Sequence, residues 1–371
     1  MEFALSPEQA ELAATVRALL ERRSDSAAVR AAAASERGYD EALWQTLCEQ
    51  IGAAALAIPE EYGGAGFSLF ETHIVLEQLG HALTPSPLLG SAVLAAQAVL
   101  HSGDEAACER LLPDIASGRV AALAWADEHG RWRVDGSSVT ASDEDGWRLS
   151  GTSTLVLDGA AADMLLVVAS TPHGVGLFEV DPDGSGVRRT RTPALDPTLS
   201  LATVTLDTAR ATPLSTDASG MLAGLRDVAA VAVTALQVGA AQRGLDMTVG
   251  YAKQRVQFGR PIGSFQALKH RMADMLLQVE TSRSASWAAA WSAATSGADL
   301  PGLAAVAKAW CSEAASAVAA ETVQLHGGVA ITWEHDAHLV FKRAHATAEL
   351  FGPARVHRRR LAELEGWRSA G

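Results

Sequence analysis

The spacing of apolar and polar positions divides the chain into three stretches. Before about residue 117, and again after about residue 216, apolar residues recur every three or four positions, which predicts amphipathic helices. Between these stretches, short alternating or β-branched runs such as Met164-Leu-Leu-Val-Val-Ala169 are separated by Asp, Gly and Pro, which predicts strands joined by turns. The pattern therefore predicts a mainly α chain with a β-domain in its middle.

Local start and stop signals place the individual helices. Ser6-Pro-Glu-Gln9 combines an N-cap serine, a proline at the first helical position and an acid in the first turn, which predicts a helix to about Arg23. Gly52 is expected to end a helix that begins near Tyr39. The remaining predicted helices cover residues 70–80, 88–101, 106–112, 221–254, 265–296, 301–326 and 336–350. We expect three domains: helical over 1–117, β over 118–215 and a helix bundle over 216–371.

Composition narrows the possible functions. The 371 residues carry a net charge of −13, which argues against a nucleic-acid-binding protein because such proteins present a basic face. No unbroken apolar run reaches about 18 residues, so no membrane span is expected. Three scattered cysteines, Cys48, Cys108 and Cys311, predict neither a disulfide framework nor a zinc site. A reduced, cytoplasmic compartment and no signal peptide are the corresponding expectations.

Two C-terminal signatures give the chain a family resemblance. The first is Tyr251-Ala-Lys-Gln-Arg-Val-Gln-Phe-Gly-Arg-Pro-Ile-Gly-Ser-Phe-Gln266, and the second is Gln324-Leu-His-Gly-Gly-Val-Ala-Ile-Thr-Trp-Glu-His-Asp-Ala-His338. Together they resemble the acyl-CoA dehydrogenases, flavoenzymes that remove two hydrogens across the α and β carbons of an acyl-CoA. The resemblance implies that family's fold: an N-terminal helical domain, a β-barrel-like middle domain and a C-terminal four-helix bundle.

The same signatures imply a role in holding FAD. In the family, the loop matched by the first signature reaches the FAD of a neighbouring subunit, and the second element touches the ADP part of that cofactor. A guanidinium suits a pyrophosphate, an aromatic ring suits adenine, and glycines allow close backbone approach. An inherited subunit interface without cofactor contact is the alternative. The implied cofactor-binding residues are Arg255, Gln257, Phe258, Gln324, Gly327 and Gly328.

The carboxylate base of the family has no counterpart at the matching positions. Aligned on glycine, the usual Tyr-Glu-Gly-Thr motif becomes Leu350-Phe351-Gly352-Pro353, so the base position is Phe351. A minority of the family carries the base on the first long helix of the bundle, where this chain has Ala229. No catalytic residue is therefore assigned. Asp227 and Glu349 are the nearest carboxylates and the fallback candidates for a displaced base.

The strand that covers the flavin ring in the family is also altered. Here it reads Gly151-Thr-Ser-Thr-Leu-Val-Leu-Asp158, so Leu155 replaces an aromatic or other apolar residue and Leu157 replaces a hydroxyl. Leucine cannot make the hydrogen bond that a threonine hydroxyl gives to flavin. Upstream, the usual Thr-Glu-Pro and Gly-Ser-Asp loop is replaced by Ala124-Trp-Ala-Asp-Glu-His-Gly130. Loss of one function at this site explains these departures better than independent drift at each position.

Three other polar clusters are interpreted as structural. The Trp333-Glu-His-Asp336 segment places its potential ligands too close in sequence for most metal geometries, so no metal site is expected. The acids of Glu60-Glu-Tyr62 are expected in a turn. The basic run Arg355–Arg360 is expected on a solvated helix face, with phosphate contact as the alternative.

These features predict half of a split enzyme. The retained elements act on a neighbour's FAD, whereas the lost ones act on the chain's own flavin and substrate. The chain is similar to subunits of heterotetrameric α2β2 acyl-CoA dehydrogenases of actinobacterial steroid side-chain catabolism. That resemblance implies a homologous partner that carries the catalytic Glu, an acyl-CoA substrate, and electron-transfer flavoprotein or a similar acceptor. A self-sufficient homotetramer with a displaced base, and a non-catalytic acyl-CoA-binding or scaffold protein, remain the alternatives.

Overall fold

The computed structural model describes residues 4–367, and its elements follow the predicted order of helices, strands and helices. The helices are α1 Pro7–Arg23, α2 Ser26–Ala34, α3 Glu41–Thr46, α4 Leu69–Ala82, α5 Ala96–Leu100, α6 Glu105–Ala116, α7 Ser219–Gln254, α8 Gln266–Ala294, α9 Leu300–His326, α10 Ala337–Glu349 and α11 Ala354–Leu364. The strands are β1 Ala121–Ala124, β2 Val139–Asp143, β3 Trp147–Leu157, β4 Met164–Thr171, β5 Gly174–Val180, β6 Val187–Arg191, β7 Leu201–Ser215, β8 Val256–Gln257 and β9 Arg260–Pro261.

The start of α1 shows how local sequence sets a boundary. The Ser6 hydroxyl accepts a hydrogen bond from the Gln9 backbone N–H at 3.2 Å, and the Gln9 side chain accepts one from the Ser6 N–H at 3.0 Å. This reciprocal capping satisfies two backbone donors that the helix itself cannot pair, with Pro7 at the first position. The predicted helix from Ser6 to Arg23 is confirmed.

Other helices differ from the predictions in detail. The predicted helices near residues 39–51 and 88–101 each contain a π-helical segment, Leu47–Ile51 and Leu89–Ala95. Gly52 ends the first of them in the left-handed conformation, as expected. Helix α2 was not predicted, although its sequence is rich in alanine, the residue with the highest helix propensity. Glu60–Tyr62 is a single 3₁₀ turn, in agreement with the predicted turn.

The middle strands form a closed ring. The sheet order is β1-β4-β2-β3-β7-β5, and β5 also pairs with β4, so β4, β2, β3, β7 and β5 close into a ring. Strand β1 adds to the ring at β4, and β6 adds to it at β7. Fully buried apolar side chains such as Leu149, Phe178 and Val204 contribute to the core of this region. Closure removes free edges from the ring strands and confirms the β-barrel-like middle region.

The C-terminal helices bury small residues against one another. Helix α9 contributes Ala304, Cys311 and Val318 to the core, where small side chains let helices approach closely. Helix α7 is long and apolar enough to cross a bilayer by length and composition, with a mean hydropathy of 1.5 over 18 residues, 72% of that window buried. A buried core helix passes the same test, so this helix is weak evidence for a span.

Contacts divide the chain into two compact units. One comprises the described parts of Met1–Ser26, His73–Thr84 and Ala230–Gly371, and the other comprises Ala27–Thr72 and Pro85–Ala229. This division groups segments that are distant in sequence and does not test the three predicted domain boundaries, which stay predictions.

Candidate functional site

A short hairpin carries the residues of the first signature. Helix α7 ends at Gln254, and β8 pairs with β9 to leave a two-residue turn at Phe258 and Gly259, with φ of 52° and 76°. Such turns require positive φ at both positions, a conformation that glycine adopts freely and a bulky residue only under strain. The Phe258 side chain is nevertheless 91% exposed. A strained, exposed aromatic ring is a feature of binding surfaces rather than of a folded core.

The base of the hairpin is held in place. The Arg255 carbonyl accepts a hydrogen bond from the Ile262 N–H at 2.8 Å. The Arg260 guanidinium lies 4.1 Å from the centre of the Phe265 ring, and Phe258 packs edge-on against that ring at 6.1 Å. Arg255 and Gln257 are both exposed beside the tip. The fixed hairpin therefore presents a guanidinium, an amide and a ring outward.

The second signature lies at the end of α9. Gly327 ends the helix with φ of 64° and ψ of −145°, a conformation open to glycine, and its N–H donates to the carbonyl of Gln324. A Cβ at Gly327 or Gly328 would have no heavy atom within 4 Å, so the backbone there faces open space. Gln324 is also exposed. This arrangement lets a phosphate group approach the backbone closely.

The structure brings the two signatures together. The Tyr251 ring, one turn before Arg255, stacks on the His326 ring with centroids 4.7 Å apart and planes 28° apart. Burial lowers the pKa of His326, so its ring stays neutral near pH 7. Arg271 of α8 also binds Glu321 of α9, with 2.6 Å between Nε and Oε2. The predicted cofactor-binding residues thus lie on adjoining helix ends.

The segment from Trp333 to His338 uses its polar groups for packing. His335 contacts the His326 ring at 4.7 Å, and His338 contacts the Trp333 ring at 5.0 Å. Asp336 accepts a hydrogen bond from the Ser26 hydroxyl at 2.5 Å. Within residues 4–367, no cluster of His, Cys, Asp or Glu is arranged to hold a metal ion.

The position that the sequence aligns with the family base is a buried turn. Phe351 follows α10 with φ of 58°, and its side chain is only 4% exposed. Its carbonyl accepts a hydrogen bond from His357 Nε2 at 3.0 Å. The turn geometry is therefore well defined, but the residue that occupies it has no proton to exchange.

Lys308 holds the end of α10 just before that turn, a role that sequence reasoning missed. Its ammonium group is fully buried and donates to the Ser312 hydroxyl at 2.9 Å and to the carbonyls of Thr347 and Ala348 at 3.1 and 2.9 Å. Burial lowers the pKa of Lys308 to about 7. The available signal was a single lysine in an alanine-rich helix, since Lys is seldom buried without partners.

The other candidate base positions differ in environment. Ala229 is fully buried in α7. Asp227 is also buried, with its carboxylate 3.9 Å from Arg226 Nε. Glu349 is exposed at the end of α10. Asp227 and Glu349 both stay fallback candidates for a displaced base.

Hydroxyls on β3 are engaged by the loop that precedes it. The Ser153 hydroxyl donates to the Ala126 carbonyl at 2.8 Å, and the Thr154 hydroxyl donates to the Asp127 carbonyl at 2.7 Å. Leu155 sits at a register shift of the β3–β7 ladder with φ of 51°. Its side chain comes within 3.1 Å of the position that a Cβ on Gly130 would take.

Two buried aspartates flank this strand. Burial acts to raise the pKa of Asp127, but hydrogen bonds from Arg131 and from the His129 N–H outweigh it and lower that pKa below its usual range. At the end of β3, burial raises the pKa of Asp158 to about 8, so this side chain is largely protonated at neutral pH. The ionised Asp127 carboxylate thus accepts hydrogen bonds from two residues of its own loop, His129 and Arg131.

The hairpin and the Gly327–Gly328 turn suit the ADP half of FAD, whereas β3 and the loop before it do not suit the flavin half. The exposed hairpin tip and the open glycines suit the charged, aromatic ADP portion. The loop and strand that align with the flavin-covering elements of the family bond to each other, and the side chains of Leu155 and Leu157 offer no donor or acceptor. The basic run lies on α11, where Arg358 pairs with Glu313 and Arg355 is exposed.

Known proteins resemble the chain over nearly its full length. Residues 6–119 match the family model described as acyl-CoA dehydrogenase, N-terminal domain, and residues 225–364 match the model for the C-terminal domain. Acyl-CoA dehydrogenase IpdE2 of Mycobacterium tuberculosis is 44% identical over 369 residues, which is 98% of this chain and 99% of that protein. Its counterpart in Mycolicibacterium smegmatis is 43% identical over 358 residues, covering 96% and 98%.

Solved structures agree with the sequence matches. The ChsE4-ChsE5 complex from Mycobacterium tuberculosis matches with a TM-score of 0.89 and 32% identity, covering 100% of both chains. A single-residue variant of the Tcur3481-Tcur3483 steroid ACAD matches with a TM-score of 0.88 and 36% identity, covering 97% of this chain and 98% of that one. The predicted fold and cofactor are confirmed: the chain belongs to the acyl-CoA dehydrogenase family of FAD-dependent oxidoreductases.

Proposed function

We propose that this chain is the subunit of a heterotetrameric α2β2 acyl-CoA dehydrogenase that lacks the catalytic carboxylate and completes the FAD site of its partner. The single observation that carries the proposal is the contrast between the hairpin tip and the base position. Phe258 is strained and 91% exposed, whereas Phe351, which aligns with the family's base position, is buried in a turn.

The chemistry of the hairpin supports a grip on the ADP half of FAD. The Arg255 guanidinium can donate charge-assisted hydrogen bonds to a pyrophosphate, and Phe258 offers a face on which adenine can stack. The backbone at Gly327 and Gly328 can approach a phosphate without interference from a Cβ. FAD, when bound, supplies the hydride acceptor for the oxidation of the acyl chain.

The partner in this proposal is a homologous subunit that carries the Glu base and the flavin face. Two relatives point to this arrangement, since one is a complex of two chains and the other a steroid enzyme named for two chains. We accordingly propose an acyl-CoA substrate derived from a steroid side chain. Electron-transfer flavoprotein or a similar acceptor, and a cytoplasmic location, complete the proposal.

The test is a count of FAD per chain. We expect little FAD on the chain purified alone and about one FAD per two chains after co-expression with the partner subunit. Within that complex, Arg255→Ala should weaken FAD retention roughly 10- to 100-fold, because a hydrogen bond to a charged group contributes about 1.5–3 kcal/mol. Arg188→Ala, which removes another exposed arginine, is the matched control.

Substitution of the fallback carboxylates separates this proposal from a self-sufficient enzyme. Asp227→Asn and Glu349→Gln should leave the turnover of the complex within about twofold, whereas a true base would lose about 10²–10⁴-fold. A chain that alone binds one FAD per chain and oxidises an acyl-CoA would refute the split-enzyme proposal. If neither Arg255→Ala nor Phe258→Ala changes the FAD content of the complex, the proposed binding of FAD by the hairpin is refuted.

A further inference from the structure

Two arginines face each other on neighbouring strands of the β-region. Arg148 of β3 and Arg210 of β7 are direct partners in the antiparallel register, so their side chains leave the same face of the sheet. Like charges placed directly opposite destabilise a sheet. The arrangement therefore calls for a compensating negative charge.

The described chain does not supply that charge as an ion pair. Among the ion pairs within residues 4–367, none includes Arg148 or Arg210. The Arg148 guanidinium donates to the Thr208 carbonyl at 3.2 Å, which fixes its position without neutralising it. The neighbouring Arg110, in contrast, is neutralised by Glu179 through two hydrogen bonds of 2.8 and 2.5 Å. Neither arginine of the opposed pair is engaged in an ion pair with the described residues, so both guanidinium groups can bind a group of an external ligand.

The pair opens onto a groove of about 550 Å³, a volume in the range that small-molecule sites occupy. Trp147 also lines this groove and is half-buried. Its ring packs against the buried Phe178 with centroids 5.1 Å apart, which holds the indole in place. The groove thus places a half-buried indole ring beside two guanidinium groups that make no ion pair within the described part of the chain.

The acids that line the groove limit what can bind there. Asp145 and Asp181 are exposed and line the same groove, so a purely anionic ligand would be repelled by them. A ligand that carries phosphate at one end and hydroxyl or amino donors at the other satisfies both sets of groups. We propose that this groove binds a nucleoside phosphate, with phosphate on Arg148 and Arg210, the base against Trp147, and ribose or amino groups donating to the aspartates.

This groove is separate from the FAD-binding role proposed above and does not depend on it. Along β3, Arg148 lies seven residues before Leu155, which corresponds to roughly 20 Å of extended strand. The hairpin that carries Arg255 belongs to the other compact unit of the chain. The inference rests on strand register, groove lining and charge alone.

The experiment is isothermal titration calorimetry of the full-length chain with ADP, adenosine and inorganic phosphate as separate probes. We expect one ADP per chain, with each of the two fragments bound at least tenfold more weakly. Arg148→Ala and Arg210→Ala should each weaken ADP binding about tenfold, since each removes a charge-assisted contact. Arg188→Ala, an exposed strand arginine outside the groove, should change the affinity by less than twofold.

A second readout distinguishes a binding role from a structural one. Without ligand, Arg210→Gln should raise the Tm by about 1–3 °C, because it removes the repulsion across the strand pair. A lowered Tm would show that the arginine stabilises the sheet and would overturn the proposal. Absence of ADP binding at millimolar concentration would also overturn the proposal, as would equal affinity for ADP and inorganic phosphate. A third refuting result is ADP binding that Arg255→Ala abolishes and Arg148→Ala leaves unchanged.

Discussion

Replacement of Lys308 by Met should change how the stability of the chain depends on pH. Lys308 is fully buried, and burial lowers its pKa from the usual 10.5 to about 7. Between these two values the unfolded chain holds a proton on Lys308 that the folded chain has mostly released. The free energy of unfolding of the native protein therefore rises with pH across this window, and the rise is absent below about pH 7.

The size of the effect follows from the shift. With a folded pKa near 7 and an unfolded pKa near 10.4, the Lys308 contribution to the free energy of unfolding grows by about 2 kcal/mol between pH 7 and pH 9. Lys308→Met has no titrating group at this position and loses that increment. Met also leaves the Thr347 and Ala348 carbonyls without their donor, a cost that does not vary with pH over this range.

The assay is urea unfolding of both proteins at several pH values from 7 to 9, followed by circular dichroism. The unfolding free energy of the native protein minus that of Lys308→Met should rise by about 2 kcal/mol from pH 7 to pH 9. Lys253→Met, which removes an exposed lysine at the end of α7, should show no such rise. A constant difference for Lys308→Met would refute the reasoning, because it would mean that the three acceptors keep the buried ammonium charged throughout.

Two other predictions concern buried side chains: Asp158 and Cys48 in the compact unit formed by Ala27–Thr72 and Pro85–Ala229, and Cys311 in α9. Burial raises the pKa of Asp158 to about 8, so the native protein loses stability as pH rises from about 4 to 8; Asp158→Asn should gain roughly 4 kcal/mol relative to it between pH 4 and pH 7, measured by urea unfolding. Equal pH profiles for the two proteins would contradict this. Burial raises the pKa of Cys48 and Cys311 to about 12, so native thiols should react with an aromatic disulfide reagent at pH 8 far more slowly than in urea. Rapid labelling of either thiol before unfolding would contradict the buried positions.

The sequence by itself predicted most of the elements and the lack of a carboxylate at the positions aligned with the family base. Periodicity and capping depend on residues a few positions apart, so α1 and the long C-terminal helices could be predicted to within a few residues. The prediction that Phe351 and Ala229 stand where the family has its carboxylate likewise comes from the residue types alone. Helix α2 and the two π-helical segments were not predicted, because uniform alanine-rich or apolar runs carry little information about turn geometry.

Only the tertiary structure decided how those residues are used. Lys308 is buried because α10 ends beside α9, and its ammonium group donates hydrogen bonds to carbonyls 39 and 40 positions further along the chain. Arg148 and Arg210 become an opposed pair through a strand register that joins residues 62 positions apart. Burial, strand register and ion pairing depend on which distant segments come into contact, and a local sequence pattern carries no information about those contacts.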